Sequence, residues 1–423
     1  MGEFTQKIKL VLADRNLLMR ILFVLGILAL FRVGAAIPIP SLDSSSLAAF
    51  LSSNQFFGLL NIFSGGGLSS MSIFMLGVGP FITASIIMQL MTLVYPKLKE
   101  MYQEDGEAGR RKFSQYSRLL SVPLAGLQGF GLLTLLNQQG VLVGLSLEDK
   151  IISIIIVTAG AVLLMWMGEL INEYGIGNGL SILIFAGIVA ALPGAISQII
   201  LTYDPAQIPT YIGFVILSII IVGGVVIVTE GERPVPITYA KQVRGMKTHG
   251  GVSTYLPIRV NNAGVMPIIF ALSILLFPQL IVNFLAGVDN ALVQDISSSV
   301  LNFLQNPWFY STIYFFLVFG FTYFYSAVTF DPHTIATNLQ KGGAFVPGVR
   351  PGASTEDHIA GILTRLTFFG ALFLGVIAML PLIMQEITGI QTLAIGGTGL
   401  LIVVSVVLDL VKKIEAQVTM REY

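Results

Sequence analysis

The sequence contains no cysteine among its 423 residues. Disulfides, thiolate nucleophiles and cysteine metal sites are therefore excluded. Histidine is almost as scarce, and His249, His333 and His358 all fall in polar stretches, where an isolated imidazole is more often solvated than bound to a metal. The sequence also lacks a phosphate-binding Gly-Lys-Ser/Thr loop and a nucleophile with a nearby base. We therefore expect no enzymatic activity, no metal and no cofactor.

Charged residues are also few, at 11% against 54% hydrophobic residues, and the mean hydropathy is +0.83. A soluble domain carries about 25% charged residues, so this composition indicates a membrane protein. The basic N-terminus before an apolar run could be mistaken for a cleaved secretion signal. Arg32 interrupts its small-residue end, and Pro38 and Pro40 follow at once, so we expect no cleavage.

Apolar runs of about 20 residues, the length that crosses a bilayer as a helix, occur ten times. The predicted spans are residues 18–36, 72–94, 117–136, 151–171, 179–200, 209–229, 264–285, 308–329, 361–382 and 392–411. An even number of spans places both termini on one side of the membrane. Of the 23 Lys and Arg residues, all but Arg32 and Lys150 lie on that side. The positive-inside rule therefore predicts that both termini are cytosolic.

The lengths of the connections repeat. In each set of five spans the first connection is long and the last is short, and matching connections lie on opposite membrane faces. This pattern is typical of two inverted halves with a site at their interface, although coincidence among nine connections is the alternative. We expect an all-α polytopic membrane protein with ten transmembrane helices in two inverted, pseudo-symmetric halves of five. The predicted divisions are a cytosolic N-terminus at 1–17, halves at 18–200 and 209–411, cytosolic loops at 230–260 and 331–358, and a cytosolic tail at 412–423.

One apolar stretch is too short to span. Residues 56–63 would rise only about 12 Å as a helix, well under half of a bilayer core. Three glycines, Gly65, Gly66 and Gly67, follow and permit a sharp bend. From the residues alone, this stretch either folds back into the protein or rests as an amphipathic helix on the outer leaflet.

The middles of all ten predicted spans carry no ionisable residue. Ion- and proton-coupled transporters usually keep a carboxylate at mid-depth. Its absence makes a secondary transporter with inverted repeats a less favoured interpretation, without excluding it. A transporter would show saturable uptake of a small solute. An insertase or scaffold without a pore is the second alternative.

Five stretches of the sequence resemble the bacterial SecY family of protein-conducting channels. They are residues 61–66 with 72–74, 106–112, 175–179, 343–352 and 396–398. The resemblance covers nearly the whole chain. It implies a passive, gated conduit in the cytoplasmic membrane, which passes unfolded secretory proteins and releases transmembrane segments sideways into lipid. The implied partners are SecE, SecG, SecA or a ribosome, signal sequences and preprotein chains, and membrane lipids.

The resemblance also assigns roles to individual residues. A plug is implied at 57–70, with Phe57, Leu60, Ile62, Phe63, Gly65, Gly66 and Gly67. A ring of aliphatic side chains that holds water poorly is implied at Val78, Ile82, Leu180, Ile184, Ile269 and Ile402. Periodicity alone could not have selected these six, because aliphatic pairs at helical spacing occur throughout the spans.

A lateral gate is implied between spans 2 and 3 on one side and spans 7 and 8 on the other, at Thr83, Gln128 and Phe277. For Thr83 and Gln128, ordinary hydrogen bonding between helices is an equally good interpretation. Contact with SecA or a ribosome is implied at Arg244, Lys247 and Arg350, whose charges suit phosphates and acidic surfaces alike. The alternative is that these charges only set the topology.

Overall fold

The structure is a computed structural model that describes residues 14–40, 47, 61, 64–103, 105–138, 140–142, 146–201, 205, 208–239, 242–244, 247–249, 253–285, 295, 297, 299–300, 303, 306–388 and 391–422. It is mostly helical. Twelve helices carry the described chain: α1 Arg15–Ala35, α2 Gly79–Val94, α3 Pro96–Gln103, α4 Gly106–Gln138, α5 Leu147–Tyr174, α6 Gly179–Leu201, α7 Ile208–Glu230, α8 Met266–Leu285, α9 Pro307–Thr329, α10 Pro332–Lys341, α11 Ala353–Thr388 and α12 Gln391–Glu422.

Each predicted span overlaps one of these helices. By length and composition, six helical segments in the described chain can cross a membrane, namely those that begin at Arg15, Gly106, Leu147, Ile208, Pro307 and Ala353. The pair α2 and α3 is a seventh candidate, with a bend of 116° between its two parts. The helices begin where sequence chemistry permits. At α5, for example, the Ser146 hydroxyl accepts from the Asp149 N–H while the Asp149 carboxylate accepts from the Ser146 N–H.

The expected second span, 72–94, is only partly a helix. α2 begins at Gly79, with Val78 as its N-cap and a proline in its first turn. Residues 64–78 form a series of turns instead, and Gly65, Gly66 and Gly77 adopt positive φ angles of 66°, 86° and 58°. A left-handed residue ends a helix, so high apolarity in this stretch reflects burial of irregular backbone and not a transmembrane helix.

The helices form two sets with repeated contacts. In the first set, α1 packs on α5 and α6, α2 on α4, α4 on α5, and α5 on α6. In the second set, the corresponding helices make the corresponding contacts: α7 packs on α11 and α12, α8 on α9, α9 on α11, and α11 on α12. This repetition agrees with two pseudo-symmetric halves of five spans. The halves meet where α8 contacts α2 and α4, and where α6 contacts α12.

A small sheet lies at one end of the second half. Strands β1 Glu232–Tyr239, β4 Ser253–Arg259 and β5 Ala344–Phe345 pair in the order β4-β1-β5, and β2 Gln242–Arg244 pairs with β3 Lys247–His249 as a hairpin. Val235 and Ile258 from this sheet are buried against Ile359 and Leu363 of α11. The predicted loops at 230–260 and 331–358 therefore contain regular structure. We call β1, β4, β5 and α10 the platform.

Candidate functional site

The six predicted ring residues come together in one buried cluster at the junction of the halves. Val78, Ile82, Ile184, Ile269 and Ile402 are each at most 8% exposed, and Leu180 packs against them while partly exposed. α2 and α6 contribute from the first half, and α8 and α12 from the second. The six aliphatic side chains therefore belong to the apolar cluster that packs the two halves together, at the position where the resemblance implies a constriction.

Local backbone geometry sets the position of these side chains. The Ile82 N–H donates to the Val78 carbonyl at 3.1 Å, so this pair lies on the first turn of α2. Leu180 and Ile184 lie on the first turns of α6, where Asn178 Oδ1 accepts from the Leu180 N–H at 3.2 Å. The starts of α2 and α6 therefore carry four of the six predicted ring residues.

A small cavity of about 100 Å³ adjoins this constriction. It is lined by four of the ring residues, Ile82, Leu180, Ile184 and Ile269, together with the polar residues Ser85, Gln89 and Ser181. We call it the constriction cavity. Its polar lining begins one turn further along α2, so one wall changes from apolar to polar within a few residues.

A larger cavity of about 340 Å³ lies between the sheet and the ends of α6, α8, α9 and α12. Its lining includes Asn178, Arg259, Asn261, Asn262 and Lys413, and we call it the vestibule. Ser181 and Met266 line both cavities. The two cavities are therefore neighbours, and they lie one after the other between the platform and the aliphatic cluster.

The vestibule carries several charges, all of them in ion pairs. Lys412 Nζ lies 2.9 Å from Glu230 Oε1, Lys413 Nζ lies 3.0 Å from Asp409 Oδ2, and Arg259 Nε lies 3.3 Å from Glu232 Oε1. Beyond the vestibule, Arg118 of α4 pairs with Glu169 of α5. The cations of the vestibule are neutralised locally and create no strong anion site.

Residues 64–78, which we call the connector, are packed against the first half. The Arg32 guanidinium donates from Nη1 to the Gly65 carbonyl at 2.8 Å, and the Ser70 hydroxyl donates to the Ala35 carbonyl at 2.8 Å. Gly65 is so close to the Phe31 ring that a Cβ atom there would overlap it, and that atom would also lie 3.3 Å from Gly187 Cα of α6.

The predicted plug is described only in part. Gly65, Gly66 and Gly67 belong to the connector, and Gly67 is closely packed because a Cβ atom there would lie 2.8 Å from the Phe74 carbonyl oxygen. The remaining predicted plug residues, Phe57, Leu60, Ile62 and Phe63, lie outside the described residues. The glycines therefore lie in a hydrogen-bonded, largely buried turn segment that precedes α2.

Two of the three predicted gate residues touch. Gln128 Nε2 of α4 donates to Thr83 Oγ1 of α2 at 3.4 Å, and Thr83 Oγ1 also donates to the Gly79 carbonyl at 3.0 Å. Both helices contact α8 at this seam, and Phe277 belongs to α8, although its side chain lies outside the described residues. The direct bond between Thr83 and Gln128 joins two helices of the same half.

The three predicted contact residues lie on the platform side of the molecule. Arg244 ends β2 and Lys247 begins β3, and the two are paired across the hairpin. Their side chains lie outside the described residues. Arg350 is exposed in the turn between β5 and α11, where its carbonyl accepts from the Thr355 hydroxyl at 2.9 Å.

Sequence reasoning missed the polar residues of the two cavities. Ser85 and Gln89 lie at i+3 and i+7 from Ile82 on α2, so helical spacing from a ring residue could have identified them. Asn261 and Asn262 precede span 7 as an amide pair in an otherwise apolar approach, but only the fold brings them beside α6 and α12. No short sequence pattern carries that information.

Comparison with protein families gives a direct match. The SecY family model matches residues 72–411. The protein translocase subunit SecY of Mycobacterium tuberculosis is 42% identical to this chain over 425 residues, which cover 96% of this chain and 95% of that protein.

Solved structures share the fold at lower sequence identity. A structure of a protein-conducting channel aligns with a TM-score of 0.64 and 19% identity over 93% of this chain and 91% of that chain. Sec61 in a canine ribosome-channel complex from the endoplasmic reticulum aligns with a TM-score of 0.59 and 18% identity, with the same coverage of both chains. At this identity the two structures support the fold alone.

Proposed function

The chain belongs to the SecY family, and from that premise we propose how this protein translocase subunit works. Family membership makes it a channel subunit of a multi-pass membrane translocase and not an enzyme. Its substrates are unfolded secretory proteins, which it passes across the membrane, and transmembrane segments, which it releases sideways into lipid.

One observation supports the mechanism: aliphatic side chains from both halves share one buried cluster, and four of them line one small cavity. We propose that they form the constriction of the channel. A narrow apolar ring holds water poorly and offers an ion no ligand, so it resists ion flow without a metal or a charged gate. Because Ile82 and Ile184 come from the first half and Ile269 and Ile402 from the second, separation of the halves widens the ring. We propose that a polypeptide strand occupies the widened ring.

We propose that the connector holds the plug region in the closed channel. It is buried and bonded through Arg32 and Ser70 to α1. Its glycines provide the bends needed for movement when a chain enters. Residues 57–70 would then cover the outer side of the ring at rest and move aside during translocation.

We propose lateral release at the seam where α8 faces α2 and α4. A polar contact between transmembrane helices is worth only about 0.6–2 kcal/mol, so few such bonds need to break. An apolar segment in the channel gains about 0.3–0.6 kcal/mol per central leucine-like residue when it partitions into lipid. A signal sequence therefore supplies enough free energy to favour the open seam.

We propose the cytoplasmic membrane as the location, with both termini and the platform in the cytosol, because the distribution of Lys and Arg follows the positive-inside rule. The proposed partners are SecE, SecG, and SecA or a ribosome. α7 supports an additional membrane subunit, since it packs on α11 and α12 yet exposes Ile212, Ile216 and Ile220. Arg244, Lys247 and Arg350 are the proposed contacts for the motor or the ribosome.

Reconstitution tests the function directly. The chain is placed in proteoliposomes with SecE, SecA and ATP, and a preprotein is added. We expect the preprotein to become protected from external protease. Exposure of the preprotein despite confirmed folding and SecA binding would contradict the proposal, and saturable small-solute uptake would favour a transporter instead.

The ring has its own test. We expect Ile82→Asn combined with Ile402→Asn to raise the resting ion conductance, because polar side chains wet the constriction. Leu119→Asn is the matched control, since Leu119 is 75% exposed on α4 and away from the ring. Unchanged conductance in the double variant, or failure of a trapped chain to cross-link to the six ring positions, would show that the ring is misplaced.

A further inference from the structure

Buried side-chain amides without hydrogen-bond partners concentrate along the route from the vestibule to the constriction. Gln89 Oε1, Asn261 Oδ1 and both amide atoms of Asn262 have no partner within the described part of the chain. They make up four of the seven such side-chain atoms there; a fifth, Lys412 Nζ, also lines the vestibule, and its charge is paired with Glu230 at 2.9 Å. Asn261 and Asn262 line the vestibule, and Gln89 lines the constriction cavity.

The orientation of Asn261 is fixed by the fold. Asn261 is 6% exposed, and its Nδ2 donates to the Gly264 carbonyl at 3.3 Å. The remaining acceptor, Oδ1, is buried and has no partner within the described residues. A buried polar atom without a partner costs about 1–3 kcal/mol, so three such residues on one route are costly unless a ligand satisfies them.

The chemistry of the route identifies the ligand. A side-chain amide offers N–H donors and a C=O acceptor, which are the groups that pair with a peptide bond. The vestibule cations Arg259, Lys412 and Lys413 are already ion-paired. The amide atoms without partners are three acceptors, Gln89 Oε1, Asn261 Oδ1 and Asn262 Oδ1, and one donor, Asn262 Nδ2, so they match the N–H and C=O groups of a peptide backbone better than an anion.

We infer that Asn261, Asn262 and Gln89 bind the main chain of the translocating polypeptide through hydrogen bonds to its peptide groups. This inference rests on the proposed function. The main chain is common to all substrates, so these contacts hold a chain without regard to its sequence. Each bond is weak, so the chain slides from one amide to the next on its way to the apolar ring.

The test uses a preprotein stalled in the reconstituted channel with SecE and SecA. A folded C-terminal domain stops the chain at the point where a run of alanines lies in the vestibule. A second preprotein carries lactic acid in place of alternate alanines. This change replaces the backbone N–H by an ester oxygen. After ATP is removed, the rate at which each chain slides back is measured. Since one hydrogen bond contributes about 0.5–1.5 kcal/mol, we expect the ester chain to leave about 2- to 10-fold faster.

The ester and amide chains are then measured in two channel variants, Asn262→Leu and Gln89→Met, so that changes in the chain and in the channel form a double-mutant cycle. In the Asn262→Leu channel we expect the ratio of ester to amide rates to fall towards one. Ile182→Leu is the control, because Ile182 lines the vestibule without a polar side-chain atom, and it should keep the ratio of the unchanged channel. If the effects of the channel substitution and of the ester substitution are not additive, the difference measures the hydrogen bond between the two groups.

The outcomes separate the two proposals. If the amide preprotein crosses the unchanged channel but leaves at the same rate as the ester chain, the amide contacts are wrong and the proposed function stands. If the amide preprotein never becomes protease-protected, the proposed function itself is contradicted. Should Asn262→Leu fail to fold, the ester and amide rates in the unchanged channel still decide the question.

Discussion

The two halves repeat their helix contacts, but the connections between their first and second spans differ in structure and in burial. In the first half the connector returns among the helices, and Leu68, Met71 and Met75 are fully buried. In the second half the chain leaves the helices as β1 and β4, and six of the eight β1 residues are at least partly exposed. Equivalent places in a repeated fold therefore carry a buried segment and an exposed ribbon.

The sequence explains the difference. The connector has no charged residue, and left-handed glycines at its two ends prevent regular structure. Its backbone is satisfied by short-range bonds such as Ser72 N–H to the Gly67 carbonyl at 2.8 Å. The β1 strand alternates exposed residues with buried Val235 and Ile237, which is the pattern of a sheet with one covered face.

The connector, whose turns bond mainly within the segment, and the β1–β4 ribbon, whose strands pair with each other, suit different tasks. A segment that bonds mainly to itself moves as a unit without leaving a row of unpaired peptide groups in a membrane interior. A ribbon keeps its own ladder while offering side chains to a partner. We expect changes in the connector to affect the ion seal and changes in the platform to affect motor or ribosome binding.

The largest effect is expected from Gly65→Val. The added side chain overlaps the Phe31 ring, and the φ angle of 66° is unfavourable for a β-branched residue. Overpacking and backbone strain together cost about 2–5 kcal/mol in the closed state. We expect resting ion conductance in proteoliposomes to rise by at least about 30-fold, the factor that 2 kcal/mol gives at 1.4 kcal/mol per tenfold.

Gly106→Val is the matched control for Gly65→Val. Gly106 has a φ angle of 61°, but nothing lies within 4 Å of a Cβ atom there. It carries the same backbone strain without the overlap, and it lies outside the connector. Equal conductance in the two variants would show that the packing of Gly65 is irrelevant to the seal.

The second effect is expected from Ile258→Ala in the platform. Ile258 is 3% exposed and lies in the cluster that joins the sheet to α11. Loss of buried aliphatic volume costs about 2 kcal/mol or more. We expect faster hydrogen exchange across 232–259 and weaker SecA binding, with unchanged ion conductance. Tyr255→Ala, at a residue 67% exposed on the same strand, should leave exchange nearly unchanged.

A third, smaller effect is expected from Arg32→Gln. The Arg32 guanidinium donates to the Gly65 carbonyl at 2.8 Å, but the residue is exposed, so the loss is about 1 kcal/mol. We expect about a fivefold rise in resting conductance. Lys150→Gln removes the other cation that the positive-inside rule predicts to face outward, and it should change nothing. A rise of the same size in both variants would indicate a surface-charge effect and contradict the contact with Gly65.

The sequence predicted the helical framework well because apolar length and charge asymmetry are direct consequences of a bilayer. The first span, expected at 18–36, is α1 at Arg15–Ala35. The sequence could not predict that residues 72–78 are turns, because hydropathy reports burial and not backbone conformation. The positive φ angle of Gly77 depends on the packing of the whole connector.

The site was predicted unevenly for the same reason. The resemblance to SecY channels indicated the six aliphatic residues that the fold brings together. The strands in the loop at 230–260 were not predicted, because Pro234 and Pro236 flank Val235 and interrupt the alternation of apolar and polar residues that indicates a strand. The cavity amides were missed because Asn261 of the vestibule and Gln89 of the constriction cavity are far apart in sequence, and only the fold places them in neighbouring cavities.

The smallest expected effect concerns pH, and it separates platform from connector once more. Asp331 caps α10. Partial burial raises the pKa of this carboxyl, but hydrogen bonds from Thr334 and His333 outweigh it, and the pKa lies below its usual 3.8. A depressed pKa means that the carboxylate stabilises α10 fully above the unfolded value. That stabilisation is lost as the pH falls below 3.8 through the folded value.

Asp331→Asn provides the reference, because asparagine also caps a helix but does not titrate. We expect the ratio of hydrogen-exchange rates at 332–341 between this variant and the unchanged chain to shift between pH 5 and pH 3, while the same ratio at 64–78 stays constant. The intrinsic pH dependence of exchange cancels in each ratio. The connector holds no titratable side chain, so a parallel shift there would mean that the two connections are coupled and do not respond separately.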